Sequence, residues 1–280
     1  MSPISMTDAL DGTPLANYRW PTPPGVQARG SVYLLHGLSE YAGRYEHVAA
    51  WLNARGWRVA AHDHRGHGRS GGKRASLRTA DDLILDAERQ VTAYTAETGE
   101  PPVLLGHSMG GLVATHVALR GNTELAGLVL SSPAFRLRLT KAQRAMLRIM
   151  RALAPSLHLP HGRRRSALTH DQAVIDAYLA DPLTNRVITA RLAGFLADQG
   201  EKAIAQAGQL RWRTLLLVSG ADQIVDPTGS RAFADAAAPG RLALRWYDQA
   251  WHEILNETQE LAAPVYADLE AWLASTPHKE

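Results

Sequence analysis

The sequence predicts an α/β fold built on a mostly parallel sheet that carries helices on both faces. Five short apolar runs lack the alternation of a half-buried strand, and each is followed directly by Gly, His or Ser. Continuous hydrophobicity is typical of strands buried on both faces, as in a parallel sheet. The five runs are residues 32–35, 58–61, 103–105, 128–130 and 215–218.

Segments with helical periodicity separate the apolar runs and predict the helices that connect parallel strands. These segments cover residues 44–55, 80–98, 110–120 and 228–237. A strand–helix–strand rhythm favours an open, doubly wound sheet with right-handed crossovers. The pair Asp11-Gly12 is a hairpin-turn signal, so we expect the first strands to be antiparallel.

The rhythm stops at about Pro133 and resumes after Gly208. The stretch between them is rich in Ala and Leu at helical spacing and has no convincing strand. We therefore predict a core formed by residues 1–132 and 209–280, interrupted by an all-helical insertion of residues 133–208.

The composition is that of an ordinary globular protein, 45% hydrophobic and 20% charged over 280 residues. The absence of cysteine excludes disulfides, cysteine-ligated metals and a thiol nucleophile, and it fits a reducing cytoplasm. We see no signal peptide and no apolar run near the roughly 18 residues of a membrane span, so we expect a soluble, cytoplasmic protein. A net charge of +3 does not indicate a nucleic-acid partner.

Residues 103–114 predict a strand, a tight turn and a helix, with Ser108 in the turn. The pattern Gly-x-Ser-x-Gly is short and matches by chance, but a serine between a strand and a helix has a strained backbone that exposes its Oγ. Side chains at Gly106 and Gly110 would clash across such a turn. The helix also points its first N–H groups at developing negative charge. Ser108 is therefore the predicted nucleophile, and the alternative is a glycine-rich connecting turn.

A serine nucleophile needs a base, and the base needs an acid to orient it. In this type of fold the chain order is Ser, acid, His. His252 follows the last predicted strand, Leu242–Tyr247, and is the predicted base. Asp222 follows the strand at 215–218 and is the first candidate for the acid. Asp226 is the second candidate, although Asp-Pro is typical of a helix N-cap, and Asp248 is too close to His252 along the chain.

Two backbone N–H groups are expected to form an oxyanion hole. One belongs to Met109, the residue after the nucleophile. The other is expected from Leu38, in the loop 36–40 that follows the strand at 32–35.

These motifs together resemble the monoacylglycerol lipase and lysophospholipase branch of the α/β-hydrolases, which is also grouped with serine aminopeptidases. The resemblance covers nearly the whole chain, and it implies Ser108, Asp222 and His252 as a triad with Leu38 and Met109 as oxyanion donors. It also implies that the insertion is a cap over an acyl-binding pocket. Beyond Asp181-Pro182-Leu183 the cap matches no family pattern, which leaves the choice of substrate open. The motifs are residues 36–45, 63–72, 106–111, 132–134, 181–183, 221–222 and 252–253.

Residues 62–67 contain three histidines and an aspartate, which are residue types that bind metal ions. Their spacing is not the His-x-His-x-Asp-His of dinuclear metallo-hydrolases, so we expect these side chains to brace the loop beside the site. The sequence predicts no metal and no cofactor.

Residues 136–165 are rich in Lys and Arg and contain no acid. Within them, residues 141–153 predict a helix with Lys141, Arg144, Arg148 and Arg151 on one face and apolar side chains on the other. Such a helix can lie on an anionic membrane surface. The alternative is a cap helix that packs its apolar face on the core and leaves its arginines in solvent. Arg163-Arg164-Arg165 adds to the basic surface or forms a plain exposed loop.

The function that the sequence favours is hydrolysis of single-chain lipid esters, such as monoacylglycerols or lysophospholipids, through an acyl-enzyme on Ser108. A peptidase or amidase, or a general carboxylesterase of small acyl substrates, is the alternative within enzymes. A non-catalytic ligand-binding module on the same scaffold is the alternative outside them. Haloalkane dehalogenases and epoxide hydrolases of this fold carry aspartate where Ser108 stands, which disfavours their chemistry.

Overall fold

The computed structural model describes residues 4–160 and 167–275. The strands are β1 (Ile4–Asp8), β2 (Pro14–Trp20), β3 (Gly30–Leu35), β4 (Trp57–His62), β5 (Val103–His107), β6 (Gly127–Ser131), β7 (His158–Pro160), β8 (Val187–Thr189), β9 (Thr214–Ser219) and β10 (Leu242–Tyr247). Eight of them form one sheet in the order β1-β2-β4-β3-β5-β6-β9-β10. The helices are α1 (Glu46–Asn53), α2 (Asp82–Thr98), α3 (Met109–Arg120), α4 (Lys141–Leu153), α5 (Gln172–Ala180), α6 (Ala190–Gln206), α7 (Pro227–Ala236) and α8 (Gln259–Ala274).

The sheet is parallel from β4 to β10, and β1 and β2 join it as an antiparallel edge. This is the α/β-hydrolase arrangement that the motifs implied. The β1–β2 hairpin turns at Asp11-Gly12, where Gly12 has a φ of 77° that favours glycine.

Successive residues of the central strands enter opposite layers of the core, as the period of two in a strand requires. Tyr33 and Leu35 of β3 pack in the layer that contains α2 and α3. Val32 and Leu34 of the same strand pack in the layer that contains α1 and α8. Burial on both faces explains why the strand sequences are continuously apolar.

The chain between β6 and β9 contains α4, α5 and α6 and also a small antiparallel sheet of β7 and β8. The expectation that this insertion is entirely helical is therefore wrong at these two segments. Each strand has three residues and, among the described residues, pairs only with the other, so no local hydrophobic pattern predicted it. Helix α6 packs against α3 and α7 of the core.

Within the described residues, none of the helices combines the length and the apolar character that crossing a membrane requires.

Candidate active site

Ser108 occupies the sharp turn between β5 and α3, with φ 53° and ψ −116°. A serine rarely adopts a positive φ, and such strain is typical of functional positions. The two flanking glycines are sterically required: a β-carbon at Gly106 would lie 2.4 Å from the carbonyl oxygen of Gly110. A β-carbon at Gly110 would lie 2.2 Å from the carbonyl oxygen of Leu35 in β3. The clash predicted for Gly110 is thus with the neighbouring strand rather than across the turn.

A chain of hydrogen bonds links Ser108, His252 and Asp222, which come from three different loops at one edge of the sheet. His252 Nε2 lies 2.9 Å from Ser108 Oγ, and His252 Nδ1 lies 2.6 Å from Asp222 Oδ2. All three side chains are buried. With Nδ1 donating to the carboxylate, Nε2 is left to accept a proton from the hydroxyl, which is the arrangement that general-base activation of a serine needs.

The environment of Asp222 keeps its carboxyl ionised. Burial acts to raise its pKa, but attraction to His252 and hydrogen bonds to the carboxylate outweigh burial, so the pKa lies below its usual value. Two of these bonds come from the N–H groups of Ile224 and Val225, at 2.7 and 2.9 Å from Oδ1. Asp226, the second candidate, instead caps α7 by accepting the N–H of Thr228 at 3.0 Å.

The loop after β3 lies against Ser108. A β-carbon at Gly37 would be 3.3 Å from Cβ of Ser108, so this glycine allows the close approach. Leu38 and Met109, the two predicted oxyanion donors, both line the cavity into which Ser108 opens. The structure thus brings all five predicted site residues to one place.

An apolar cavity of about 420 Å³ adjoins Ser108. Arg138 and Gln143 are its other polar lining residues among those described, and Arg138 donates to the backbone oxygen of Asp222 at 2.6 Å. Aliphatic walls of this size suit an acyl chain better than a charged or polar ligand. The apolar walls come mostly from the insertion and include Leu137, Leu139, Met146, Leu147, Met150, Leu159, Ile188 and Leu196.

Helix α4 spans Lys141–Leu153, as predicted, and much of its apolar face is exposed. None of its residues is buried, and Met146, Ile149 and Leu153 are 56%, 53% and 81% exposed. The apolar face is therefore largely exposed, although Met146 and Met150 also line the cavity. Arg151 forms a partly exposed ion pair with Asp198 of α6 at 2.5 Å. The three arginines at 163–165 lie outside the described residues.

The cluster at residues 62–67 braces the site loops. Asp63 accepts the N–H of Ala42 and of Arg69, each at 2.8 Å. His64 donates from Nε2 to the backbone oxygen of His36 at 3.2 Å, and its own N–H donates to His36 Nε2 at 2.9 Å. Burial lowers the pKa of His36 and of His64, which keeps both rings neutral. Over the part of the chain that is described, no group of three or more potential metal ligands has a suitable arrangement.

Arg44, for which the sequence predicts no separate role, connects the loop after β3 to the loop that carries His252. Its guanidinium pairs with Glu40 and forms two hydrogen bonds with Glu253, at 2.9 and 2.8 Å. Glu40 in turn accepts the N–H of Gly37 at 2.5 Å. Glu40, Arg44 and Glu253 belong to the quoted motifs, but their pairing across the chain is visible only in the structure.

Two opposite pKa shifts result from this arrangement. Burial raises the pKa of Glu40 above its usual value, and the nearby Glu253 adds to that rise. Burial also opposes ionisation of Glu253, but attraction and hydrogen bonds from Arg44 outweigh it and lower the pKa to about 2.

Comparison with known proteins places the chain in a family. The model of the family described as serine aminopeptidase, S33, matches residues 26–259. The chain belongs to this family. Within it, the chain is 34% identical over 256 residues to a monoacylglycerol lipase of Mycolicibacterium smegmatis, covering 90% of both chains. It is 30% identical to a phospholipase of Bacillus subtilis, covering 81% of this chain and 89% of the relative.

Solved structures agree with this placement. The crystal structure of a monoacylglycerol lipase from Paleococcus ferrophilus superimposes with a TM-score of 0.83 at 30% identity, covering 94% of this chain and 99% of the other. This S33-family chain is therefore a serine ester hydrolase with the α/β-hydrolase fold.

Proposed function

We propose that the protein hydrolyses carboxylic esters of single-chain lipids, monoacylglycerols or lysophospholipids, through an acyl-enzyme on Ser108. The observation that carries the proposal is the hydrogen-bonded chain Ser108–His252–Asp222, which opens into an apolar cavity of about 420 Å³. The similarity to lipases and a phospholipase supports the same substrate class.

In the first half-reaction, Ser108 Oγ attacks the ester carbonyl while His252 Nε2 takes its proton. Asp222 holds the ring in the required tautomer and stabilises the imidazolium that forms. The N–H groups of Leu38 and Met109 stabilise the oxyanion. His252 then protonates the leaving alcohol, and in the second half-reaction it activates the water that hydrolyses the acyl-enzyme.

In this proposal residues 133–208 form a cap that provides most of the wall for the acyl chain, over a core of residues 1–132 and 209–280. The cap also contributes the contact with lipid. Met146, Ile149 and Leu153 expose an apolar strip on α4, and Lys141 and Arg148 of the same helix are also exposed. An exposed apolar strip beside cations is what binding to an anionic membrane surface requires.

The cavity and the exposed strip share α4. Met146 lines the cavity and is exposed as well, while Met150 lines it from the neighbouring position on the helix. A membrane-bound α4 would therefore bring the cavity next to its lipid substrate. The cytoplasmic location expected from the sequence stays a prediction.

A hydrolysis panel tests the substrate class. Monoacylglycerols and lysophospholipids of increasing chain length are compared with short acyl esters and with aminoacyl amides, using the wild type and Ser108→Ala. We expect turnover of the single-chain lipid esters by the wild type only. Faster turnover of the aminoacyl amides would identify a peptidase, and equal turnover of the short esters would identify a general carboxylesterase.

A vesicle assay tests the membrane contact. Ile149→Ser combined with Leu153→Ser removes apolar area from α4, and we expect it to weaken sedimentation with anionic vesicles. Leu10→Ser, which removes an exposed leucine in the β1–β2 hairpin, is the matched control. Equal sedimentation of all three proteins would contradict a role for α4.

A further inference from the structure

Ser39, the residue after Leu38, has a backbone conformation that serine rarely adopts. Its φ is 67°, in the left-handed region that favours glycine. Such a conformation persists when the surrounding structure holds it, and Ser39 is completely buried. Because Ser39 directly follows Leu38, its conformation fixes the path of the chain beside this proposed oxyanion donor.

The groups that hold Ser39 come from the insertion. Ser39 Oγ donates to Asn185 Oδ1 at 3.1 Å. The backbone oxygen of Ser39 accepts the hydroxyl of Tyr178 at 3.1 Å and the N–H of Asn185 at 3.3 Å. We call residues 178–185 the clamp segment. Three of its hydrogen bonds thus meet at one strained residue of the core loop.

The clamp segment is itself fixed in place. Asp181 accepts the hydroxyl of Tyr41 at 2.6 Å through Oδ2 and the N–H of Leu183 at 2.8 Å through Oδ1. The hydroxyl of Thr184 closes the turn by donating to the backbone oxygen of Tyr178 at 3.1 Å. These bonds give the motif Asp181-Pro182-Leu183 a structural role: it holds the turn of the clamp segment and attaches it to Tyr41.

The other side of the loop is fixed by the core. The N–H of Gly37 donates to Glu40, which Arg44 holds. Arg44 in turn lies 4.9 Å from the ring centre of Tyr178. Leu38 therefore lies between Gly37, which is held by the core, and Ser39, which is held by the clamp segment.

We propose that Tyr178 and Asn185 are positioning residues, which hold Ser39 in its left-handed conformation and so aim the N–H of Leu38 at the oxyanion. This role rests on the proposed function, in which Leu38 is an oxyanion donor. The cap then contributes to the rate of the chemical step as well as to substrate binding.

The test compares Asn185→Ala and Tyr178→Phe in the wild type and in the Ser39→Gly background. Glycine adopts a positive φ without support, so Ser39→Gly removes the need for the clamp. We expect each clamp variant alone to lower kcat about tenfold with little change in KM, less than the roughly 10²–10³ of a lost oxyanion donor. In the Ser39→Gly background the same variants should lower kcat by less than about threefold.

Two controls make the result decisive. Tyr247→Phe removes a tyrosine hydroxyl that bonds to Asp268, away from the loop, and should leave kcat unchanged. The rate of fluorophosphonate labelling reads the same oxyanion geometry without a leaving alcohol, so it should fall in parallel with kcat. Tyr178→Phe deletes one oxygen atom and keeps the test informative if Asn185→Ala fails to fold.

Equal losses in both backgrounds, or losses confined to KM, would overturn the positioning role while leaving the proposed function intact. A wild type that neither turns over lipid esters nor reacts with the fluorophosphonate would overturn the proposed function, and the positioning role with it.

Discussion

Arg44 and Glu253 lie 209 residues apart in the chain and are joined by two hydrogen bonds, 2.9 and 2.8 Å long, between the guanidinium and the carboxylate. Both side chains are almost fully buried. Two parallel bonds of this kind fix the relative position of the groups as well as their separation. Glu253 directly follows His252, so the ion pair holds the loop of the base against the loop after β3.

Breaking this ion pair should destabilise the protein strongly. Arg44→Met leaves two buried carboxylates without their cation, and we expect the free energy of unfolding to fall by roughly 3–5 kcal/mol. Arg44→Lys keeps the charge without the two parallel bonds and should lose less. Urea unfolding measures the change. Arg245→Met breaks an exposed ion pair with Asp268 and should cost at most about 1 kcal/mol. A loss for Arg44→Met as small as that for Arg245→Met would contradict the assignment.

The dependence of stability on pH should have two parts. Glu40 has a raised pKa, so the native protein binds its proton before the unfolded chain does, and stability rises as the pH falls toward about 4.5. Glu253 has a lowered pKa, so its contribution is present above the usual pKa of 4.5 and is lost as the pH falls toward about 2.

The free energy of unfolding, measured in urea from pH 7 to below pH 3, checks both parts. Glu40→Gln should remove the rise on the upper side and Glu253→Gln should flatten the loss on the lower side. Identical pH profiles for the two variants and the wild type would show that neither carboxyl titrates as described.

The acid of the triad is distinguished from its neighbour by a pair of conservative substitutions. Asp222→Asn loses the charge that stabilises the His252 imidazolium and the tautomer that accepts from Ser108, so kcat should fall roughly 10³–10⁴-fold. Asp226→Asn keeps a good N-cap for α7 and should change kcat by less than about twofold. Steady-state ester hydrolysis measures both. The reverse order would move the acid to Asp226.

The turn at Ser108 should not tolerate a β-carbon at Gly110. Alanine there would place Cβ 2.2 Å from a backbone oxygen of β3, and we expect a loss of several kcal/mol or failure to fold. Gly194→Ala in α6 is the control, since its Cβ would meet the side chain of Arg151, which can rotate away. Thermal unfolding compares the two variants, and equal stability would mean that the turn relaxes.

The sequence predicted those parts of the site that depend on local pattern and on strand order. Ser108 was identified from the strand before it and the helix after it. Asp222 and His252 followed because the carboxyl ends of parallel strands meet at one edge of a sheet. The apolar runs and the Asp11-Gly12 turn predicted a mostly parallel sheet with antiparallel first strands, whereas the number of eight strands and their order come from the structure.

The features that sequence reasoning missed depend on contacts between distant segments. The strands β7 and β8 are three residues each and exist because they pair with one another. The sequence left two orientations open for the apolar face of α4, and the exposure of Met146, Ile149 and Leu153 is visible only in the structure. A serine residue does not indicate a positive φ, so the conformation of Ser39 and its bonds to the clamp segment could not be inferred from the sequence.

The most direct test of the central claim is a comparison of the wild type with Ser108→Ala in single-chain lipid ester hydrolysis and in fluorophosphonate labelling. Mass spectrometry of the labelled wild type locates the modified residue. We predict that the wild type hydrolyses the ester and carries the label on Ser108, and that the variant does neither. Retained turnover by Ser108→Ala, or a label on another residue, would contradict the account.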